Sequence, residues 1–279
     1  MRKIAFKLFG SFITPNSAYG SFISDAAMNI QNDKSLAQNI FPLIDLISPK
    51  KLLGSEKIRI GAEGDGGYYV INRDYKDTFL ISGGIEYDNS FEYQLAEKGA
   101  LGIQLDDSVD SAPLSHVNLT FKKSRLGTNL AKNEIDLENL LIYSKNSNRN
   151  KIILKLDIEG SEWDLLSEFE NLSIFDQIII ELHNLSDLGT EKSRLITQTL
   201  DKINKDFFCF SFNANNCCGF SIISGTPIPK TLEVSLANRN SYNFEKIFNE
   251  YPNWDPISNY SANSQLSLFG LQFFSTPKI

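Results

Sequence analysis

The sequence predicts an α/β protein built on a Rossmann-like parallel sheet that ends in an antiparallel hairpin. Short apolar runs, which indicate buried strands, alternate with segments of helical apolar spacing between residues 78 and 206. A glycine turn, Ser82-Gly-Gly84, follows the first of these strands, and an acidic pair, Asp106-Asp107, ends the next. Segments 207–212 and 220–223, on either side of a loop at 213–219, are predicted as aromatic-rich strands, and 231–236 as a further strand, which fits a closing antiparallel hairpin.

The residue totals fit one large domain, or one domain with an appendage. The chain has 279 residues, of which 42% are hydrophobic, enough for a substantial core. Its 27 basic and 34 acidic residues give a net charge of -7, which argues against nucleic acid and anionic membranes as partners. No apolar run reaches the roughly 18 residues of a transmembrane helix, so we expect no membrane span.

The cysteines do not predict a disulfide framework. There are three, Cys209, Cys217 and Cys218, and adjacent cysteines rarely bridge each other. A reducing compartment is therefore the default expectation, and we predict a cytoplasmic protein.

The chain divides into three predicted regions. Residues 1–57 form an N-terminal arm and helix, residues 58–240 the main domain, and residues 241–279 a tail packed on that domain. Residues 34–49 carry the apolar spacing of a helix, with Pro42 kinking or restarting it. The roles of residues 1–33 and 241–279 and the oligomeric state stay open.

A glycine-dense loop, Gly61 to Gly67, lies between two short predicted strands. Its turn chemistry favours a tight hairpin. Its glycines would also let the backbone approach a ligand closely. Spacing alone leaves both interpretations open.

The first βαβ unit carries a nucleoside-binding arrangement. A strand at 79–81 leads through the glycine turn to a helix that ends near Lys98, and a second strand at 101–105 ends on the acidic pair. Glycines admit the ligand, and an acid about 20 residues on accepts bonds from ribose hydroxyls. The full Gly-x-Gly-x-x-Gly is absent, so a plain βαβ unit is the alternative.

Two further strands end on polar residues. The apolar run 151–156 changes abruptly to Asp157 and Glu159, and the run 176–182 ends beside His183. Because parallel strands end at one edge of a sheet, these side chains are expected to meet there. The alternative for Asp157 and Glu159 is a solvated turn that caps the next helix.

Several short strings, taken in order, resemble the FkbM-like S-adenosylmethionine-dependent methyltransferases. They are Gly64-Asp-Gly-Gly-Tyr68, Ser82-Gly-Gly84 with Ser90-Phe-Glu92, Leu105-Asp-Asp-Ser-Val109, Leu156-Asp-Ile-Glu-Gly-Ser-Glu162, Ile180-Glu-Leu-His183, Asn215-Asn-Cys217 and Pro229-Lys-Thr-Leu-Glu233.

The resemblance implies a class I methyltransferase fold with a seven-stranded sheet and an antiparallel last strand. It implies methyl transfer from S-adenosylmethionine, usually to oxygen on sugars or secondary metabolites, and a link to surface polysaccharide. The sequence departs from the family at the turn, where a Gly-x-Gly form is commoner than Ser82-Gly-Gly84. It departs again at Phe212-Asn-Ala214, where a histidine is often found.

Cofactor-binding roles follow from the resemblance and the βαβ pattern together. The loop before Tyr68 would close over the cofactor, the glycine turn would meet its methionine and ribose portions, and the acidic pair would hold the ribose. The predicted set is Asp65, Gly66, Gly67, Ser82, Gly83, Gly84, Asp106 and Asp107.

The acceptor side is predicted around His183. Its ordinary pKa of about 6.5 suits a general base, although a strand-end histidine also bonds to backbone alone. Asp157 and Glu159 would orient the acceptor hydroxyl, hold His183, or join it around a divalent cation. Asn215 and Asn216 would bind a polyhydroxyl acceptor or only form a turn.

The predicted function is therefore O-methylation of a sugar, a nucleotide sugar or a surface polysaccharide. Two alternatives remain open at this point. One is an oxidoreductase that binds a dinucleotide on the same βαβ unit, which the missing third glycine disfavours. The other is a non-catalytic binding protein that has kept the fold.

Overall fold

A computed structural model describes residues 30–31, 34–48, 50–129 and 134–247 of the chain. The strands are β1 Ile30–Gln31, β2 Lys50–Leu53, β3 Lys57–Gly61, β4 Gly67–Ile71, β5 Thr78–Gly83, β6 Leu101–Leu105, β7 Leu119–Lys122, β8 Arg125–Leu126, β9 Glu134–Ile135, β10 Lys151–Leu156, β11 Gln177–Leu182, β12 Phe207–Ala214, β13 Phe220–Ile223, β14 Thr226–Pro229, β15 Leu232–Asn238 and β16 Asn243–Lys246. The α-helices are α1 Phe41–Ile47, α2 Ser90–Glu97, α3 Leu137–Asn146, α4 Glu162–Glu168 and α5 Ser193–Asp206. Shorter 3-10 helices span Lys34–Ile40, Leu172–Ile174 and Leu185–Gly189.

Seven of the described strands form the main sheet, in the order β12-β15-β11-β10-β5-β6-β7. Neighbours from β11 to β7 pair in parallel, whereas β15 pairs antiparallel with both β11 and β12. This is the class I Rossmann-like methyltransferase sheet, and it confirms the predicted fold class. The antiparallel last strand lies between β11 and β12.

The central strands are apolar because helices and loops cover both faces of the sheet. All six residues of β11 are buried, and so are five of the six in β10. Fully burying a Leu or Ile side chain contributes about 1.5–3 kcal/mol, so these two strands provide much of the core. Lys155 is the exception in β10, a buried cation inside an otherwise apolar run.

The N-terminal helical segment predicted at 34–49 is present as a 3-10 helix followed by α1. Pro42 lies in the first turn of α1, where its missing N–H leaves no helical bond unmade. The helix packs against α5. Strand β2 pairs antiparallel with β16, so a segment of the predicted arm contacts a segment of the predicted tail. Predictions for residues 1–29 and 248–279 lie outside the described residues.

None of the helices within the described ranges has the length and apolar character needed to cross a membrane. The predicted hairpin is present, because β3 and β4 pair antiparallel around residues 62–66.

The topological switch point of the sheet lies between β5 and β10. The chain proceeds from β5 outward through β6 to β7, and then returns to place β10 and β11 on the other side. The carboxyl ends of β5 and β10 flank a crevice at this point, the position where open α/β sheets bind ligands. Gly84 follows β5 with a φ of +78°, and a Cβ added there would lie 1.7 Å from the Asp157 carbonyl oxygen.

Replacing Gly84 should therefore destabilise the fold more than replacing a glycine whose conformation alone is unusual. Gly54 has a φ of +71° with nothing within 4 Å of an added Cβ, so it is the matched control. We expect Gly54→Ala to cost about 1–2 kcal/mol, the penalty of the left-handed conformation. Gly84→Ala adds overpacking, for a total of about 2–5 kcal/mol. Urea unfolding of the two variants measures the difference, and equal losses would contradict the proposed close contact.

Candidate functional site

A pocket of about 290 Å³ opens at the switch point. We call it the sheet-edge pocket. Its lining comes from the β3–β4 loop, the turns after β5, β10 and β11, the start of α2 and the β12–β13 loop. The lining residues are Asp65, Gly66, Tyr68, Gly84, Ile85, Glu86, Tyr87, Asp88, Phe91, Glu92, Lys155, Asp157, Glu159, Glu181, His183, Asn215, Cys217 and Cys218.

Some of the predicted site residues line the sheet-edge pocket and others do not. Those that line the pocket are Asp65, Gly66, Gly84, Asp157, Glu159, His183 and Asn215. Those that do not are Gly67, Ser82, Gly83, Asp106, Asp107 and Asn216. The strand-end residues thus come together as expected, whereas much of the predicted cofactor set lies behind the pocket wall.

His183 lies among four carboxylates. Its Nε2 is 3.5 Å from Glu159 Oε2, 3.5 Å from Glu181 Oε2 and 3.9 Å from Asp157 Oδ1. Its Nδ1 is 3.3 Å from Glu162 Oε1. Burial lowers the pKa of His183, but Glu162 and then Asp157 and Glu159 raise it by more, so the pKa is above its ordinary value.

Asp157 is held by two neighbours that the predictions did not include. The Tyr68 hydroxyl donates to its Oδ2 at 2.8 Å, and Lys155 Nζ lies 3.7 Å from the same oxygen. Burial raises the pKa of Asp157, but Lys155, hydrogen bonds and His183 outweigh it, so the pKa is lowered. Asp157 is therefore the ionised member of the group.

Glu181 differs from Asp157 because its pKa is raised. It is 5% exposed, and burial followed by the charge of Asp157 raises its pKa to about 11. The side chain of Asn215 donates to its Oε1 at 2.6 Å. Glu181 is therefore protonated at neutral pH, and its proton is available to Asp157.

Glu159 is turned toward the pocket by an unusual backbone. Strand β10 ends at Leu156, and Glu159 and Gly160 have φ values of 56° and 100°. The chain reverses there, and the side chain reaches His183 while remaining 77% exposed. The fully buried Glu162 instead accepts from the backbone N–H groups of Gly160 and His183.

The glycine hairpin is held from inside by Arg59. Its guanidinium donates to the carbonyls of Ala62, Gly64 and Gly67. The Arg59 side chain thus stabilises the loop in the conformation in which Asp65 and Gly66 line the pocket. The predicted hairpin is present and its loop forms part of the pocket wall, while close approach of its backbone to a ligand stays a prediction.

Ser82 and Gly83 lie below the pocket surface. The Ser82 hydroxyl donates to the buried Glu92 at 2.6 Å. A Cβ on Gly83 would meet Leu126 and Ile158, on the side away from the pocket. Their positions serve the packing of the turn.

The carboxylate of Asp106 organises the loop that follows the glycine turn. Its Oδ2 accepts from the N–H groups of Ile85 and Glu86 at 2.9 and 2.8 Å, and its Oδ1 accepts from the N–H and hydroxyl of Ser108. A carboxylate offers about four acceptor sites, so these bonds fill them. Asp107 forms an exposed ion pair with Arg125 at 3.0 Å.

The predicted asparagine pair is split by the β12–β13 loop. Asn215 lines the pocket, whereas Asn216 is fully buried outside the lining. The next two residues, Cys217 and Cys218, are joined by a disulfide, so the expectation that adjacent cysteines stay unbridged is wrong here. The tight loop brings both sulfurs together beside the pocket.

The sequence patterns assigned no role to four residues of the site, namely Tyr68, Lys155, Glu162 and Glu181. One signal was available, because Lys155 lies two residues before Asp157 and strand residues two apart share a face. Tyr68 is 89 residues from Asp157, and no local pattern connects them.

The pocket lining is strongly acidic. Seven lining residues are carboxylates, namely Asp65, Glu86, Asp88, Glu92, Asp157, Glu159 and Glu181, against Lys155 and His183. Burial and then its acidic neighbours, led by Asp157, raise the pKa of Glu86. The lining is suited to a cationic group on a ligand.

Comparisons with known proteins give distant likenesses. No family model matches the chain, and no curated protein matches it. A Listeria monocytogenes protein, provisionally described as an S-adenosylmethionine-dependent methyltransferase, is similar in structure with a TM-score of 0.35 and 11% identity, over 60% of this chain and 93% of that one. The Methanococcus jannaschii fibrillarin pre-rRNA processing protein has a TM-score of 0.33 and 10% identity, over 67% and 84%. The fold assignment rests on the strand order and directions.

The protonation states predict how stability varies with pH. At pH 5–8 the folded chain holds the Glu181 proton, which the unfolded chain loses near its ordinary pKa of about 4.3. His183 has a raised pKa, so its stabilisation is present at low pH and is lost as pH rises through the folded value. Both effects make unfolding easier as pH increases, by about 1.4 kcal/mol per pH unit for each extra proton held.

Urea unfolding from pH 5 to 8 in a chelating buffer measures this slope. Glu181→Gln should flatten it, while the exposed Glu168→Gln, on α4, should leave it unchanged. The buried Lys50, with a pKa lowered to about 8, has the opposite effect, which begins about one pH unit below that value, so the slope from pH 5 to 7 is the decisive part. A wild-type slope that is flat or positive in this window would contradict the proton assignment.

Proposed function

We propose that this chain is an S-adenosylmethionine-dependent methyltransferase of the FkbM-like kind, acting on a hydroxyl of a sugar, a nucleotide sugar or a surface polysaccharide. The observation that carries the proposal is the acidic pocket at the switch point of a class I methyltransferase sheet, with His183 and Asp157 at its floor. Five of the seven short strings that resemble the family contribute residues to this same pocket; Leu105–Val109 and Pro229–Glu233 do not.

The residues present fit the cofactor by charge and by position. S-adenosylmethionine supplies an activated methyl group on a positively charged sulfur. The ionised carboxylates of the lining, which do not include the protonated Glu181, attract such a cation, and the turn after Gly84 offers backbone groups at the carboxyl end of β5. The pocket volume is at the lower end of the about 300–1,000 Å³ of small-molecule sites.

The direct cofactor contacts that we propose are fewer than those predicted from the sequence. We assign direct contact with the cofactor to Asp65, Gly66 and Gly84, because these three of the predicted residues line the pocket. Asp106 acts through the loop it holds, because its acceptor sites are already taken by Ile85, Glu86 and Ser108. Asp106 binding to ribose stays a prediction.

Proton removal from the acceptor is proposed for His183 with Asp157. Glu162 lies beside Nδ1 and orients the ring, so Nε2 faces the pocket. Tyr68 and Lys155 hold Asp157 ionised, where it attracts the acceptor hydroxyl and the charge on His183. Positioning the acceptor in line with the methyl group is the protein's remaining task.

The acceptor side is proposed at Asn215 and Glu181. An amide and a protonated carboxyl present both donors and acceptors, the mixture that a polyhydroxyl ligand matches. The neighbouring Glu159 is exposed at the mouth and can contact the part of the acceptor outside the pocket.

The proposal predicts calorimetric binding of S-adenosylmethionine and of its demethylated product to the full chain. It also predicts transfer of a labelled methyl group to at least one member of a panel of sugars, nucleotide sugars and polysaccharide fragments. His183→Ala should lower that transfer by about 10²–10⁴ while retaining cofactor binding, since base loss affects chemistry.

Asp164→Asn, an exposed carboxylate on α4 outside the pocket, is the matched control and should transfer at the wild-type rate. Absence of binding by either cofactor form would sink the methyltransferase proposal, and binding of NAD in its place would favour the oxidoreductase. Transfer by His183→Ala within a few-fold of wild type would remove the base assignment alone.

A divalent cation is a second proposed ligand of the same pocket. Asp157, Glu159 and His183 each offer a ligand atom, and these atoms lie within 4.8 Å of one another. Carboxylate and imidazole donors suit Mg²⁺ and Mn²⁺. A bound cation would polarise an acceptor hydroxyl and compensate the carboxylates around His183.

The cation proposal predicts that Mn²⁺ raises the unfolding temperature of the chain and that a chelator reverses the rise. At about 100 Kd of free ion the stabilisation is about 2.7 kcal/mol. Glu159→Gln should lose most of it, and this exposed side chain can change without disturbing the core. The exposed Glu168→Gln is the control, and an equal rise in both variants would contradict the site.

A further inference from the structure

The Cys217–Cys218 disulfide lies in the wall of the sheet-edge pocket, and the proposed methyl transfer makes no use of it. Both cysteines line the pocket, with Cys217 half-buried and Cys218 exposed. Cys209, the third cysteine of the chain, is fully buried in the core and is not disulfide-bonded. A small molecule in the pocket would therefore contact the sulfur atoms of Cys217 and Cys218 and not that of Cys209.

Two hydrogen bonds connect the loop that carries the pair to Glu181 in the pocket. The backbone N–H of Cys217 donates to Asn215 Oδ1 at 3.0 Å, and Asn215 Nδ2 donates to Glu181 Oε1 at 2.6 Å. Glu181 Oε2 is 3.5 Å from His183 Nε2. A change in the backbone at Cys217 would thus alter the position of Asn215 and the neighbour of His183.

We propose that Cys217 and Cys218 form a reversible redox modification site, with low-molecular-weight thiols and disulfides as its reaction partners. In the disulfide form the covalent ring fixes the backbone of the loop that contributes Asn215, Cys217 and Cys218 to the pocket wall. In the dithiol form this wall has more backbone freedom, and Asn215 is no longer fixed beside Glu181.

Sequence adjacency makes this bond easier to reduce than a structural disulfide. Neighbouring residues across a trans peptide have Cα atoms 3.8 Å apart, whereas most disulfides span about 4.4–6.8 Å. Constrained or exposed disulfides are the labile ones, and Cys218 is exposed. The buried Cys209 gives the pair no competing partner at the surface.

The chemistry balances as thiol–disulfide exchange. The thiolate of a small thiol attacks Cys218 Sγ, the bond to Cys217 Sγ breaks, and Cys217 leaves as a thiolate that takes up a proton. A second small thiol then attacks its counterpart in the mixed disulfide and releases Cys218. The protein gains two electrons and two protons, and two small thiols become one disulfide.

The test uses the full chain, oxidised with glutathione disulfide or reduced with dithiothreitol, then denatured and alkylated for intact-mass measurement. We expect alkylation of Cys209 alone in the oxidised chain and of all three cysteines in the reduced one. Hydrogen–deuterium exchange of residues 214–219 in the native chain should be several-fold faster after reduction. The Cys218→Ser variant should show the faster hydrogen–deuterium exchange under both conditions. The Cys209→Ala variant should show the wild-type exchange rate in each redox form.

Four results would overturn the proposal. They are full alkylation after oxidation, resistance of the native disulfide to dithiothreitol, a cross-linked dimer on a non-reducing gel, and equal exchange rates in the two redox forms. No readout depends on S-adenosylmethionine, so failure of the proposed methyltransferase function and failure of this redox site give different results.

Discussion

The turns after β5 and β10 are in backbone contact, and the pocket depends on that contact. Asp157 N–H donates to the Gly83 carbonyl at 3.0 Å, and the buried Lys155 ammonium donates to the Gly84 carbonyl. No Cβ fits between Gly84 and the Asp157 carbonyl oxygen. The two strand ends are therefore held together without a side chain between them. The glycine turn and the acidic turn become one surface, against which the hairpin and the β12–β13 loop can close.

Electrostatics at this surface opposes folding. Several carboxylates are buried or half-buried with few cations near them, and one of them, Glu181, stays neutral as a result. Such a group would be costly if it had only a structural purpose, since an apolar side chain could fill the same space. Sites that bind or react commonly retain interactions of this kind at the expense of stability. The tolerance is possible here because β10 and β11 beneath the pocket each contribute four buried apolar side chains to the core.

Periodicity predicted the sheet well, because β5, β6, β10 and β11 are buried on both faces and appear as apolar runs. It also placed Asp157 and His183 at one edge, since parallel strands end together. It placed Glu159 there too, but it gave no sign of the left-handed backbone through which that side chain reaches His183. It gave no sign that Asp106 bonds to the backbone of Ile85 and Glu86, because an acid in that role and an acid that binds ribose occupy the same place in sequence. Tyr68 was beyond reach, since its contact joins distant segments.

That contact has a consequence for dissecting the molecule. The hairpin β3–β4 lies outside the seven-stranded sheet, yet it supplies Tyr68 to Asp157 and packs the Tyr68 ring edge-on against Phe91 of α2. A fragment beginning at β5 would keep every strand of the main sheet. It would also uncover Phe91 and leave Asp157 without its hydroxyl donor. Trimming the chain to the recognisable sheet would therefore remove one wall of the pocket and, with Ile60, Tyr68 and Val70, part of a buried core cluster.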